Sequence, residues 1–218
     1  MTSLSQRLRS ANQDLWDAMQ THRFVHDIEA DALPREVFRR YLVYEHAFVE
    51  TAILIFGHAL LKAPDLTTRR WLCGVLNGLG GGQLDYFERT FAALGAAPQA
   101  HGAPLPAAVA AFDRGMLRIA EAGGYLDILT IMLAAEWMYA TWCGRTHRHP
   151  ITDPHIAEWV RLHAEPDFLA QADWLRAQLD AAMPGVDDAS FQHLSDLFGQ
   201  ALRLEIDFHT APYESMLI

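Results

Sequence analysis

Apolar residues recur along this chain every three or four positions, and no stretch sustains the strict alternation of a strand. Leu4, Leu8, Ala11, Leu15, Ala18 and Met19 predict an amphipathic surface helix from Ser3 to Gln20, with Ser3 or Thr2 available as its cap. A short turn through His22–Phe38 follows. Within it Leu33-Pro34 marks a restart, because proline suits the first turn of a helix and disfavours helix in the residue before it. The next helix runs from Arg35 to about Leu61, ends at Ala63-Pro64, and gives way to another from Leu66 towards Leu94. Inside that one lie Gly78, Gly80, Gly81 and Gly82. Their spacing is neither GxGxxG nor GxxxxGK[ST] and no strand precedes them, so they predict a helix break or a close helix approach rather than a phosphate cradle. Gly95–Pro106 is the longest connector, a surface excursion. The apolar stripe that follows carries Phe112 and closes at Gly123-Gly124. Beyond the central helix, Asp153-Pro154 reads as N-cap and first helical position. Two further helices and a turn at Pro184-Gly185 lead to a last helix with Leu194, Leu197, Phe198, Ala201, Leu202, Glu205 and His209 on or near one stripe. The fold class predicted is all-α, with roughly seven to nine helices.

The stretch from Tyr125 to Cys143 organises the rest. It is apolar on every side, the pattern of a helix that neighbours cover all round, yet Glu136 sits near its middle with Tyr139 on the same face one turn on. A buried carboxylate costs several kcal/mol unless it is paired, hydrogen-bonded or neutralised. The pattern therefore predicts a polar pocket floored by this helix. Asp127 and Glu136 also argue against a membrane span, by roughly 3 kcal/mol for a carboxylate at the bilayer centre.

Composition narrows the picture further. A chain of 218 residues without a low-complexity linker predicts one domain over 1–218. A formal net charge of −10 disfavours nucleic acid and anionic membranes as partners and leaves a small molecule open. The N-terminal residues lack an apolar signal region and the cysteines number two, Cys73 and Cys143, which reads as a cytoplasmic protein without a disulfide framework.

Three glutamates, Glu45, Glu136 and Glu205, fall in mostly apolar helical neighbourhoods. If they converge, repulsion and desolvation hold at least one protonated near neutral pH, giving an acid and a base together. Glu205 and His209, at i and i+4, form the best metal signal, but a di-iron carboxylate bundle needs Glu-x-x-His pairs and the chain has none. His147 and His149 lie in a basic turn and read as solvated. There is no HExxH, CxxC or GxSxG, and Cys143 in an apolar helix reads as a small core residue. Phe48, Phe112, Trp137 and Tyr139 supply walls that suit either a core or a planar heterocycle.

The segment HRFVHDIEADALPREVFRRYLVYEHAFVETA, with AAEWMY on the central helix and LEIDFH on the last, resembles the TenA/THI-4 family over essentially the whole chain. The resemblance implies a heme-oxygenase-like multi-helix bundle that assembles as a homodimer or homotetramer, uses no metal or organic cofactor, and hydrolyses thiamin-related aminopyrimidines for salvage. By position, Glu45 corresponds to the family's aspartate that binds the aminopyrimidine, and Phe48 to an aromatic one turn on. Phe112 stands where many members place a tyrosine, Tyr139 matches a pocket tyrosine, and Glu205 matches the glutamate that acts as acid and base. The cysteine of the best-known branch falls at Ala135 or Glu136, so the chain resembles the branch that lacks this thiol, with Glu136 as the second catalytic carboxylate. Without a thiolate, attack of water on an exocyclic C–N bond or a formamide is the expected chemistry. Two alternatives stay open at this point: a metal-dependent oxidase on the same bundle, using Glu45, Glu136, Glu205 and His209, and a non-catalytic pyrimidine-binding protein.

Overall fold

The computed structural model describes residues 2–98 and 104–214. Among them are eleven α-helices and no strand, so the chain is all-α as its periodicity predicts. In order these are α1 (Leu4–Ala11), α2 (Gln13–Gln20), α3 (Arg23–Glu29), α4 (Arg35–Lys62), α5 (Leu66–Gly78), α6 (Leu84–Leu94), α7 (Ala107–Ala122), α8 (Tyr125–Thr146), α9 (Pro154–Leu162), α10 (Pro166–Ala182) and α11 (Asp188–Glu214). A π-helical turn, Leu79–Gln83, joins α5 to α6, and a 3₁₀ turn, Met183–Gly185, follows α10. No helix among the described residues is long and apolar enough to cross a membrane.

Three local expectations need correction, and together they raise the helix count. The predicted helix Ser3–Gln20 is two helices, broken at Asn12. The Asn12 amide donates to Leu8 O at 3.0 Å and to Ser195 O and Oγ at 3.1 Å each, so a side chain takes over bonding that would otherwise continue the helix. Gly199 of α11 lies directly against the Asn12 side chain, with no room for a Cβ. The predicted turn after His22 contains α3, whose start is capped by His22 Nδ1 accepting from Phe24 N–H at 3.1 Å. Seven residues are too few for a period to show, but Phe24, Val25 and Ile28 are buried there. The glycine run interrupts the α-helix predicted from Leu66 towards Leu94, dividing it into α5 and α6 without a loop between them. It accommodates one extra residue per turn as a π segment, and a Cβ on Gly78, Gly80, Gly81 or Gly82 would meet nothing within 4 Å, so no close approach selects these glycines. Part of the connector read as a surface excursion, residues 99–103, lies outside the described residues.

The chain folds as two compact units. The first comprises Met1–Leu33 and Leu129–His209. Its centre is the buried part of α8: every residue from Leu129 to Ala135 is at most 5% exposed, as the all-round apolar pattern requires. Trp142 of α8 stacks on Trp159 of α9 at 5.5 Å, and Phe24 sets its edge against both at 6.4 Å. Aromatic pairs in this geometry add about 0.5–1.5 kcal/mol each to what their burial contributes. α1 is tied to α10 where Ser5 N–H donates to Asp180 Oδ1 at 2.8 Å. Asp153 caps α9 by accepting from His155 N–H and Ile156 N–H, with Pro154 first in the helix, as the sequence predicts.

The second unit comprises Pro34–Ile128 and the chain from Thr210 onward. α4 is its axis and packs on α5, α6 and α7. Phe38, Tyr41, Leu42, Ile55 and Phe56 of α4 and Phe87, Val109, Phe112 and Met116 of α6 and α7 are essentially fully buried. Lys62, in the last turn of α4, donates to Ala120 O and Gly123 O at 2.6 Å and to Glu121 O at 3.1 Å, placing a cation on the carbonyls that end α7. Gly123 is the capping residue there. A Cβ on it would lie 2.7 Å from both Asp127 Oδ2 and Ile119 O, so nothing larger than glycine fits.

Candidate functional site

The first unit holds Glu136, Tyr139 and Glu205, and the second holds Glu45, Phe48 and Phe112. Glu136 projects from α8 and meets α10, where Gln171 Nε2 donates to its Oε1 at 2.9 Å. The residue as a whole is partly exposed, but Oε2 is sealed from solvent and has no hydrogen-bond partner among the described residues. Burial pushes the carboxyl up to about 7, against the bond from Gln171, which favours the charged form. An acid that is half protonated at neutral pH, with one oxygen held and the other unpartnered, is equipped to give or take a hydrogen.

Glu205 and His209 share one face of α11 and are 1% and 0% exposed. His209 Nδ1 lies 2.8 Å from the Glu205 carbonyl oxygen. A carbonyl only accepts, so Nδ1 carries the hydrogen. Burial, with the charges of His22 and His163 acting the same way, pulls His209 down to about 3, which makes the ring neutral and leaves Nε2 as an acceptor. The Tyr139 hydroxyl, 3.2 Å from Nε2, must then be the donor, an assignment that follows from the bonding network. Because the imidazole is neutral, the 3.6 Å approach of the Glu205 carboxylate to Nδ1 is not an ion pair.

Two histidines that the sequence reasoning passed over belong to this surrounding. His163 is buried at the end of α9, and its Nδ1 donates to Trp159 O at 2.9 Å. Its ring lies 4.2 Å from Trp159 and 5.2 Å from Tyr139, and burial lowers it to about 4. The signal was present, since Ile156, Trp159, Val160 and His163 continue one helical stripe. His22, 6.0 Å from His209, is also lowered by burial. Gln171 was missed as well, and no feature of its neighbourhood in the sequence marks it.

In the second unit Glu45 is buried, 7% exposed, on α4. Phe48, one turn on, meets Phe112 of α7 with ring centroids 4.3 Å apart and planes tilted by 40°. A cavity of about 280 Å³ in this unit is lined by Glu36, Arg39, Arg40, Val43, Tyr44 and the backbone around Gly95, none of them a predicted site residue. Glu36 bonds both arginines there, at 3.1 and 3.2 Å. Cys143 is fully buried and Cys73 exposed. Among the described residues no three His, Cys, Asp or Glu side chains cluster as metal ligands would.

The profile of the TENA/THI-4/PQQC family matches residues 9–215. The chain belongs to that family. Among its relatives is the aminopyrimidine aminohydrolase of Halalkalibacterium halodurans, 26% identical over 218 residues that cover 99% of this chain and 97% of that one. The aminopyrimidine aminohydrolase of Helicobacter pylori is 20% identical over 215 residues, 97% of this chain and 99% of that one. Of the solved structures, a TenA homologue from Pyrococcus furiosus superposes with a TM-score of 0.88 at 18% identity, covering 96% of this chain and 100% of that one. Family membership extends over both units, since the matched residues run through each.

Proposed function

We propose that this family member is a hydrolase acting on a C–N bond of thiamin-related aminopyrimidines, with an aminomethyl or formylaminomethyl pyrimidine as substrate. The observation that carries the reading is the end-to-end match to two proteins named aminopyrimidine aminohydrolase, without loss of either unit. Support from the site is chemical. The first unit contains one carboxyl that is half protonated near pH 7, Glu136, and a second buried glutamate, Glu205, one turn from a neutral histidine. Glu205 takes a proton from water as its oxygen attacks the carbon bearing the scissile nitrogen. The C–N bond breaks, and the departing nitrogen receives a proton back. Glu136 is the second carboxylate of that exchange, and Tyr139, held by His209, contacts the substrate ring. Glu45, Phe48 and Phe112 are assigned to recognition of the pyrimidine, the carboxyl through its aminopyrimidine edge and the rings through its faces.

The proposal includes a cytoplasmic homodimer or homotetramer. Leu54, Leu61, Leu66 and Trp71, exposed by 54, 78, 70 and 38%, give the second unit apolar surface suited to self-association. The deciding experiment incubates the full chain separately with thiamin, the aminomethyl-aminopyrimidine and its N-formyl derivative and separates the products by chromatography. Turnover of at least one, abolished in Glu205→Ala with an unchanged circular-dichroism spectrum, is expected. Full turnover in that variant removes Glu205 from the mechanism, and wild-type silence on all three removes the hydrolase.

A further inference from the structure

The cavity in the second unit lies apart from the residues assigned to hydrolysis. Glu36, Arg39, Arg40, Val43 and Tyr44 of α4 line one side of it, and the backbone that leaves α6 at Gly95 lines the other. Nine positions separate Glu36 from Glu45, about two and a half turns of helix, so the two carboxyls leave α4 on opposite sides. A volume of about 280 Å³ falls just below the roughly 300–1,000 Å³ of sites for drug-sized ligands, which limits an occupant to a small molecule.

Two of the charges lining the cavity are positive and one is negative. Glu36 Oε2 lies 3.1 Å from Arg39 Nε, and its Oε1 lies 3.2 Å from Arg40 Nε. One carboxylate thus engages Nε of both arginines, holds the two guanidinium groups side by side and leaves one positive charge over. Arg40 Nη1 also donates to Pro212 O at 3.3 Å, which anchors that side chain. The terminal nitrogens of Arg39 have no partner among the described residues, and with the side chain 43% exposed they are within reach of a solute. α4 starts at Arg35 without a side-chain cap, so the positive end of a 28-residue helix adds to the same sign. The carbonyl end of α6 opposes it, but Phe91 O there already accepts from Gly95 N–H and Ala96 N–H. Planar guanidinium forks fit the paired oxygens of a carboxylate or a phosphate. We propose that this cavity binds a small organic oxyanion, a carboxylate or a phosphate monoester, held by Arg39 and Arg40 with its apolar body against Val43 and Tyr44. One surplus positive charge matches one anionic group. The inference is independent of the aminopyrimidine reading, since no residue of the cavity takes part in the proposed hydrolysis.

The test titrates the full chain by calorimetry with phenyl phosphate, benzoate, inorganic phosphate and, as the uncharged control, benzyl alcohol. Salt at about 0.15 M screens the repulsion between these anions and a chain of net charge −10 beyond about 8 Å. Phenyl phosphate or benzoate is expected to bind, the tighter of the two naming the anionic group, and inorganic phosphate to bind more weakly because it has no apolar body. Affinity should fall roughly tenfold or more in Arg39→Met, which loses charge-assisted donors. It should be little changed in Arg70→Met, an exposed arginine of α5 whose replacement alters the net charge equally. In ¹⁵N-labelled protein the amides of Gly95, Ala96 and Ala97 should shift on titration. No binding of either aromatic anion at about 10 mM overturns the proposal, as do equal losses in Arg39→Met and Arg70→Met. Benzyl alcohol binding as tightly as the anions would make the cavity an apolar cleft and equally overturn it, and so would binding that leaves those three amides unmoved. Turnover of the aminopyrimidines is read separately, and its failure leaves this result standing.

Discussion

Replacing Glu136 by glutamine isolates the energetic cost of the buried carboxyl. Its pKa rises from 4.5 to about 7 on folding because Oε2 is cut off from water and Gln171 compensates only in part. The folded state therefore binds more protons than the unfolded state between those two values, and stability falls as pH rises through that window. At 1.36 kcal/mol per pKa unit, integration from pH 5 to pH 8 gives a loss of about 2.5 kcal/mol. Partial exposure of the residue reduces this to about 1–2 kcal/mol. Glutamine has nearly the same shape, keeps an oxygen for the Gln171 amide and has no charge to desolvate, so it removes this dependence. The assay is urea unfolding of both proteins at pH 5, 6, 7 and 8. The difference between them cancels the histidines, which both proteins contain. Expected is a variant that gains about 1–2 kcal/mol on the wild type over the series, most of it between pH 5 and 7. A difference flat to within roughly 0.3 kcal/mol, the precision of such comparisons, would refute the burial argument and with it the half-protonated acid.

The same reasoning with the opposite sign applies to the histidines. His163 and His209 are held neutral at about 4 and about 3, so the unfolded chain takes up their protons first, and stability present above pH 6.5 is lost as pH falls. The slope should reach about 1 kcal/mol per pH unit for each histidine, and urea midpoints in His209→Gln should decline more gently than in the wild type between pH 6.5 and 5; an identical decline refutes the assignment. At the end of α7, Gly123→Ala drives a Cβ into Asp127 and the Ile119 carbonyl and should cost about 1–3 kcal/mol. Gly74→Ala, inside α5 with open space at its Cβ, should instead stabilise by about 0.4–1 kcal/mol. Thermal melts of the two variants side by side check the contrast, and equal effects would show that steric room is not what distinguishes the positions.

Much of the architecture was legible because helices declare themselves through local chemistry. The period of apolar positions gave α4, α7, α8, α10 and α11; the proline at Leu33-Pro34 marked the start of α4, and Asp153-Pro154, as capping residue and first helical position, that of α9. All-round apolarity identified the buried stretch of α8, and a glutamate inside it was correctly read as a carboxyl under desolvation pressure. Elements set by distant partners were not legible. Asn12 ends α1 because Ser195 and Gly199 of a helix more than 180 residues away receive its side chain, and α3 is held by the burial of Phe24, Val25 and Ile28 rather than by its seven-residue period.

The site divides in the same way. Residue type and local setting marked Glu45, Glu136 and Glu205, since a carboxylate among apolar neighbours is costly wherever the chain takes it. Tertiary structure alone decided what each became. Gln171 reaches Glu136 across 35 positions of chain, and the Tyr139 hydroxyl meets His209 across 70. The tautomer of that histidine follows from a carbonyl one turn before it together with a partner from another helix. Periodicity and composition act through neighbours along the chain and can be read from order alone. Proton positions and the orientation of a buried acid depend on which side chains meet in space, and that is fixed only when the helices pack.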